Sequence, residues 1–195
     1  MSKQALEIIS YALNVKNTYK WQFVTEKLET TLYKTYIPEK CDFPCYMAKT
    51  VIQQPKDIVV SKLWNVTEEM AKKWDPKMKS WTELERSENR KVCSQYNEMG
   101  ALIWPRHTVF AQEKIELNGI TYLVAYSVNH TKAPLDTKNY VRTNLHMSVY
   151  EYIANENGST TVTRIAMVDP SGSIPVWLVE LFANSMVNMF NMWKE

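Results

Sequence analysis

The chain has 195 residues, of which 45% are hydrophobic and 23% charged, with a net charge of +2; this is length and apolar content for one domain with a sizeable core, and it excludes disorder along the whole chain. No Lys/Arg run has the density of a nucleic-acid footprint, since Lys72, Lys73, Lys77 and Lys79 form only a small cluster. Cys41, Cys45 and Cys93 fit neither a disulfide scaffold nor a four-ligand zinc pattern, and no segment approaches the roughly 18 apolar residues of a membrane span.

Residues 3–14 read as a short amphipathic helix, with Leu6, Ile9 and Leu13 at helical spacing. Segments 19–25, 31–37 and 46–53 carry the aromatic and β-branched residues that strands favour. Residues 56–64 and 67–74 read as two short helices. Pro55 precedes the first, and Thr67 with Glu68 and Glu69 makes a capped, dipole-matched start for the second. Strands come next at 80–87 and 90–97, then at 107–117 and 120–129 around Asn118-Gly119, a pair suited to the positive φ angles of a type I′ turn. Strands 141–153 and 160–168 flank Asn157-Gly158. The last segment, 174–193, is a helix with a long apolar stripe that includes Trp177, Leu178, Leu181, Phe182, Met186 and Phe190. Ser173 is its expected cap, and Pro175 is tolerated in its first turn. A meander of antiparallel strands curling around such a helix is the expected α+β architecture.

Several pieces in fixed order make the chain resemble the START (steroidogenic-acute-regulatory-related lipid transfer) family over most of its length. They are Trp74-Asp75, Trp104-Pro105-Arg106-His107, Ser127-Val128-Asn129-His130 with Ala133-Pro134, Val141-Arg142, and the run 169–178 from Asp169 to Leu178. The resemblance implies a single domain over 1–195 with the helix-grip fold: a curved antiparallel sheet around a long C-terminal helix, enclosing a hydrophobic tunnel. It also implies a lipid ligand, carried between membranes through transient peripheral contact. The branch carrying phospholipids and ceramides is the nearest in feel, and a phospholipid is expected ahead of ceramide or sterol.

The resemblance also implies a set of site residues. Phe110, Tyr140, Leu145, Met147, Leu178, Leu181 and Phe182 are expected tunnel walls, and Gln112, Asn144, His146 and Arg164 are candidates for the lipid headgroup. Ala71 stands where phosphatidylcholine carriers place a phosphate-binding arginine, and Gln95 and Thr108 stand near their choline-binding aromatics. Gln112 takes the place of the buried arginine of sterol-binding members. The family's register turns Arg164 inward. Alternation alone leaves two faces open, one with Val162, Arg164, Ala166 and Val168, the other with Thr161, Thr163, Ile165 and Met167.

Signals for chemistry are sparse. His107, His130 and His146 show no metal-ligand spacing, and phosphate-cradling glycine loops and nucleophile elbows do not occur. The sequence thus predicts a cytoplasmic, monomeric lipid carrier with no cofactor, no nucleic-acid partner and no catalytic activity. The alternatives are an enzyme of the same grip architecture, cyclase- or hydrolase-like, and a lipid sensor.

Overall fold

The computed structural model describes residues 2–100 and 103–194, leaving out the side chains of 176–178 and 180–182. Helix α1 spans Lys3–Thr18. Ser2 caps it, its hydroxyl accepting from Ala5 N at 3.1 Å, while the Ser2 amide donates to buried Glu113 at 2.9 Å. The buried stripe is Ala5, Ile9, Ala12 and Val15, one position away from the expected Leu6 and Leu13. Two alanines let the helix lie close against the sheet, where a stripe of leucines would hold it off.

The strands are β1 (Gln22–Lys27), β2 (Thr30–Ile37), β3 (Cys41–Ile52), β4 (Met78–Arg86), β5 (Arg90–Asn97), β6 (Arg106–Leu117), β7 (Ile120–Ser127), β8 (Val141–Arg142), β9 (Asn144–Ala154) and β10 (Thr160–Asp169). Their order is β1-β2-β3-β10-β9-β7-β6-β5-β4 in one curved sheet, and β8 adds a short parallel pairing to β6. Asn118 and Gly119 join β6 to β7 with φ of +51° and +79°, as the pair's turn preference requires. The β1–β2 turn has no such residues, yet Leu28 and Glu29 hold φ of +49° and +59°.

One face of the sheet is covered by α1, against β7 and β9. The other, concave face receives α2 (Lys56–Trp64), α3 (Glu68–Trp74) and α4 (Val176–Trp193). Helix α4 begins after Pro175 without a side-chain cap, so Ser173 lies outside it and does not cap it. Val179, Ala183, Met186, Val187, Met189, Phe190 and Trp193 bury its inner stripe, each large side chain stabilising by about 1.5–3 kcal/mol. Its carboxyl end is anchored: Lys62 Nζ donates to Trp193 O at 2.8 Å, Thr30 Oγ1 to Asn191 Oδ1 at 2.7 Å, and Lys194 Nζ to Leu28 O.

The segment read as one strand over 141–153 is two, broken at Thr143. A second irregularity comes directly after it. Met167 pairs with Met147 but Val168 pairs with Leu145, leaving His146 as an extra residue in a β-bulge. Leu145 and Ser148 therefore face the concave side, while Met147 packs with the α1 face.

Candidate functional site

A cavity of about 250 Å³ lies between the concave face and helices α2, α3 and α4. Its depth has a simple cause in the register. Ala166 on β10 pairs with Ser148 on β9, Ser148 with Ala125 on β7, and Ala125 with Gln112 on β6. Three small side chains in a row leave the floor low, and Tyr46, Tyr150, Phe110 and Leu145 stand around it. Val179, Ala183, Met186 and Met189 of α4 form the roof.

The polar lining falls into two groups. At the floor, Arg164 Nε donates to Ser148 Oγ at 3.1 Å, and its guanidinium lies 4.9 Å from the centre of the Tyr150 ring. Arg164 has no ion pair among the described residues. Gln112, 2% exposed, points into the same space, and its Oε1 finds no donor among the described residues. Such a group is costly to leave dry, by about 1–3 kcal/mol.

The second group lies six residues along β6, about 20 Å away at strand rise. Here Asn97 Nδ2 donates to Asp75 Oδ2 at 2.7 Å, and Gln95 Nε2 to Asn97 Oδ1 at 2.7 Å. Burial holds the Asp75 carboxyl above the usual aspartate range despite this bond and that from Lys77 N. Arg106 straps the turn that leads into α4. Its Nε donates to Pro170 O at 2.7 Å, Nη2 to Ser171 O at 2.8 Å and Nη1 to Trp104 O at 2.6 Å. Thr143 Oγ1 is buried beside them without a partner among the described residues. Between the two polar groups the lining is mainly apolar, with Phe110, Leu145, Val168, Ala183 and Met186.

The sequence profile of the START domain family matches residues 4–195. The chain belongs to the START domain family. No curated protein matches it in sequence. Among solved structures, this START domain is similar to the human StAR-related lipid transfer protein 5, with TM-score 0.80 and 17% identity over 98% of this chain and 93% of that one. It is also similar to human STARD10, with TM-score 0.78 and 19% identity over 99% and 80%. The STAR-related lipid transfer protein (fragment 25–204) from Xanthomonas axonopodis aligns with TM-score 0.73 and 16% identity over 89% and 96%. At these identities the likeness is one of fold, and it matches the helix-grip architecture.

The START cavity brings together Phe110, Gln112, Leu145 and Arg164 of the residues singled out from sequence. Arg164 is thus on the inward face, settling the alternation that the sequence leaves open. Four others stand elsewhere. Met147 is on the α1 face because of the bulge at His146. His146 and Asn144 do not line the cavity; they stand at the start of β9, with Asn144 Nδ2 3.4 Å from His146 Nε2. Tyr140 precedes the break at Thr143 and turns away from the cavity, edge-on to Tyr96 and His107, with its hydroxyl donating to Pro134 O at 2.9 Å. The side chains of Leu178, Leu181 and Phe182 lie outside the described residues.

Ser148, Asp75 and Asn97 also line the cavity, though no sequence pattern singles them out for it. Counting pairs back from the β9–β10 loop would have placed Ser148 opposite Ala166. Nothing local marks Asn97, whose role arises from a contact with Asp75 across 22 positions. His107, an imidazole with a serine partner, stacks on Tyr96 with ring centres 3.9 Å apart, and its Nε2 is 2.7 Å from Ser94 Oγ. It does not line the cavity, and burial pushes its pKa down to about 4. Burial likewise pushes the thiols of Cys93 and Cys45 up to about 11 and about 12, away from the thiolate form that attacks substrates.

Proposed function

We propose that this domain binds one lipid in the cavity and carries it between membranes, without catalysis. The observation that carries the reading is the pattern of the lining: a mainly apolar middle roofed by α4, with polar groups at both ends. Such a lining suits an amphiphile, whose buried chains contribute roughly 0.8 kcal/mol per CH₂. The similar human and Xanthomonas proteins, both named as lipid transfer proteins, point the same way. The finer reading is a phospholipid. Arg164 offers a forked cation with no ionic partner among the described residues, and a phosphate matches that fork through charge-assisted hydrogen bonds. The strapped turn at 170–172 leads into the roof helix, so opening there would release the ligand while the anchored carboxyl end of α4 stays in place.

The test is transfer of labelled phospholipid between donor and acceptor vesicles by the purified protein, without nucleotide or reductant. Transfer that continues in EDTA and returns the lipid chemically unchanged supports the reading. Conversion of the lipid to a new product, or no transfer of any lipid, overturns it.

A further inference from the structure

We infer that the floor of the cavity selects phospholipids whose headgroup carries an N–H or O–H donor, and discriminates against the choline headgroup, with Gln112 as the residue that reads the donor. The inference rests on the phospholipid reading above and adds to it a second, separate requirement.

The geometry begins with Arg164. Its bond to Ser148 draws the guanidinium from β10 over to β9. Ser148 pairs with Ala125 and Ala125 with Gln112, so two strand spacings, about 10 Å of backbone, separate Ser148 from Gln112, and Arg164 reaches toward that interval from β10, one strand further out. The side chains of Arg164 and Gln112 both reach into that interval, and the alanine between them leaves it open. One headgroup therefore meets both residues, its phosphate at Arg164 and its terminal group at Gln112.

Gln112 has one unmet need. Its Oε1 is an acceptor, the residue is only 2% exposed, and none of the described residues donates to it. Lys91, its cross-strand neighbour, is already engaged: its ammonium donates to Trp64 O at 2.7 Å, closing the carboxyl end of α2. A ligand donor would satisfy this oxygen once the headgroup fills the site. Ethanolamine, serine and glycerol headgroups supply one. Choline carries three methyl groups on its nitrogen and has no donor to give. A site built to pair a polar group rejects the analogue that lacks it.

The experiment separates hydrogen bonding from bulk. The purified protein is equilibrated with vesicles holding equal amounts of phosphatidylethanolamine, its N-methyl and N,N-dimethyl derivatives, and phosphatidylcholine, all with the same chains. A second vesicle set adds phosphatidylglycerol. The protein is re-isolated and its bound lipid read by native mass spectrometry. The three lipids that keep at least one N–H should be retained about equally, and phosphatidylcholine depleted about tenfold, the factor expected for one buried acceptor left unpaired. Retention of phosphatidylglycerol relative to phosphatidylethanolamine tells a hydroxyl donor from an ammonium. In Gln112→Met, which keeps the length and removes the acceptor, phosphatidylcholine should return to parity.

A steady decline with each added methyl would assign the selection to size and overturn the inference, as would equal retention of all four lipids; in either case phospholipid carriage itself would stand. Wild-type protein that takes up none of these lipids would instead overturn the carrier reading. The wild-type series decides the matter even where Gln112→Met fails to fold.

Discussion

Arg164 and Ser148 are joined across β10 and β9 by a single 3.1 Å hydrogen bond, Nε to Oγ, and that bond aims a guanidinium at the floor of a largely apolar cavity. The pair converts a residue on the sheet wall into a fixed cationic group.

Arg164→Gln should weaken phospholipid binding by about one to two orders of magnitude, since bonds to charged groups contribute roughly 1.5–3 kcal/mol each. Binding of ceramide or sterol should change little. Equilibrium binding to vesicles of each lipid checks this, and an equal loss for all three would give Arg164 a role in the fold instead.

Ala125→Leu should fill the floor. The leucine enters existing space between Ser148 and Gln112, so the thermal midpoint should hold or rise while the amount of co-purified lipid falls. A lower midpoint with unchanged lipid content would mean that the floor is already packed.

Arg106→Leu should cost about 3 kcal/mol, because it leaves the buried carbonyl of Pro170 and the part-buried carbonyls of Trp104 and Ser171 without their charged donor. Urea unfolding measures the loss. Amide exchange should rise first in the turn at 170–172, before the rest of the sheet.

His107 sets an acid limit on stability. Its folded pKa of about 4 lies below the ordinary value of 6.5, so between these values the unfolded chain binds the extra proton. Stability contributed by the neutral ring is present above about pH 6.5 and is lost as pH falls toward 4, by about 2 kcal/mol between pH 7 and pH 5. Urea midpoints at the two pH values should show this difference, and His107→Gln, which keeps a partner for Ser94, should remove it.

The elements of this chain are legible in its sequence because the local signals agree with the fold. Asn118-Gly119 adopts the turn its residues favour, and the apolar stripe of 174–193 becomes the helix that roofs the cavity. The site is legible only as far as alternation holds. Phe110 and Gln112 are two apart on an unbroken strand, and both face inward. Met147 fails the same rule because one extra residue, His146, reverses the faces between Leu145 and Ser148, and bulges carry no reliable local signature. Tyr140 precedes that strand, beyond the break at Thr143, and packs against Tyr96 and His107 instead. Partnerships such as Asp75 with Asn97 exist only once the sheet has curved.

The turn between β1 and β2 offers a separate opportunity for engineering. Leu28 and Glu29 sit in the left-handed region with side chains that resist it, at a cost of order 1–2 kcal/mol for each residue. Replacing them with Asn and Gly would supply the residues that this geometry prefers. The carbonyl of residue 28 would still be there to receive Lys194, since that contact is made by backbone. The hairpin tip meets the far end of α4 and takes no part in lining the cavity. Thermal robustness can thus be raised at a point where ligand choice is not decided, giving a sturdier background in which to vary Arg164 and Gln112.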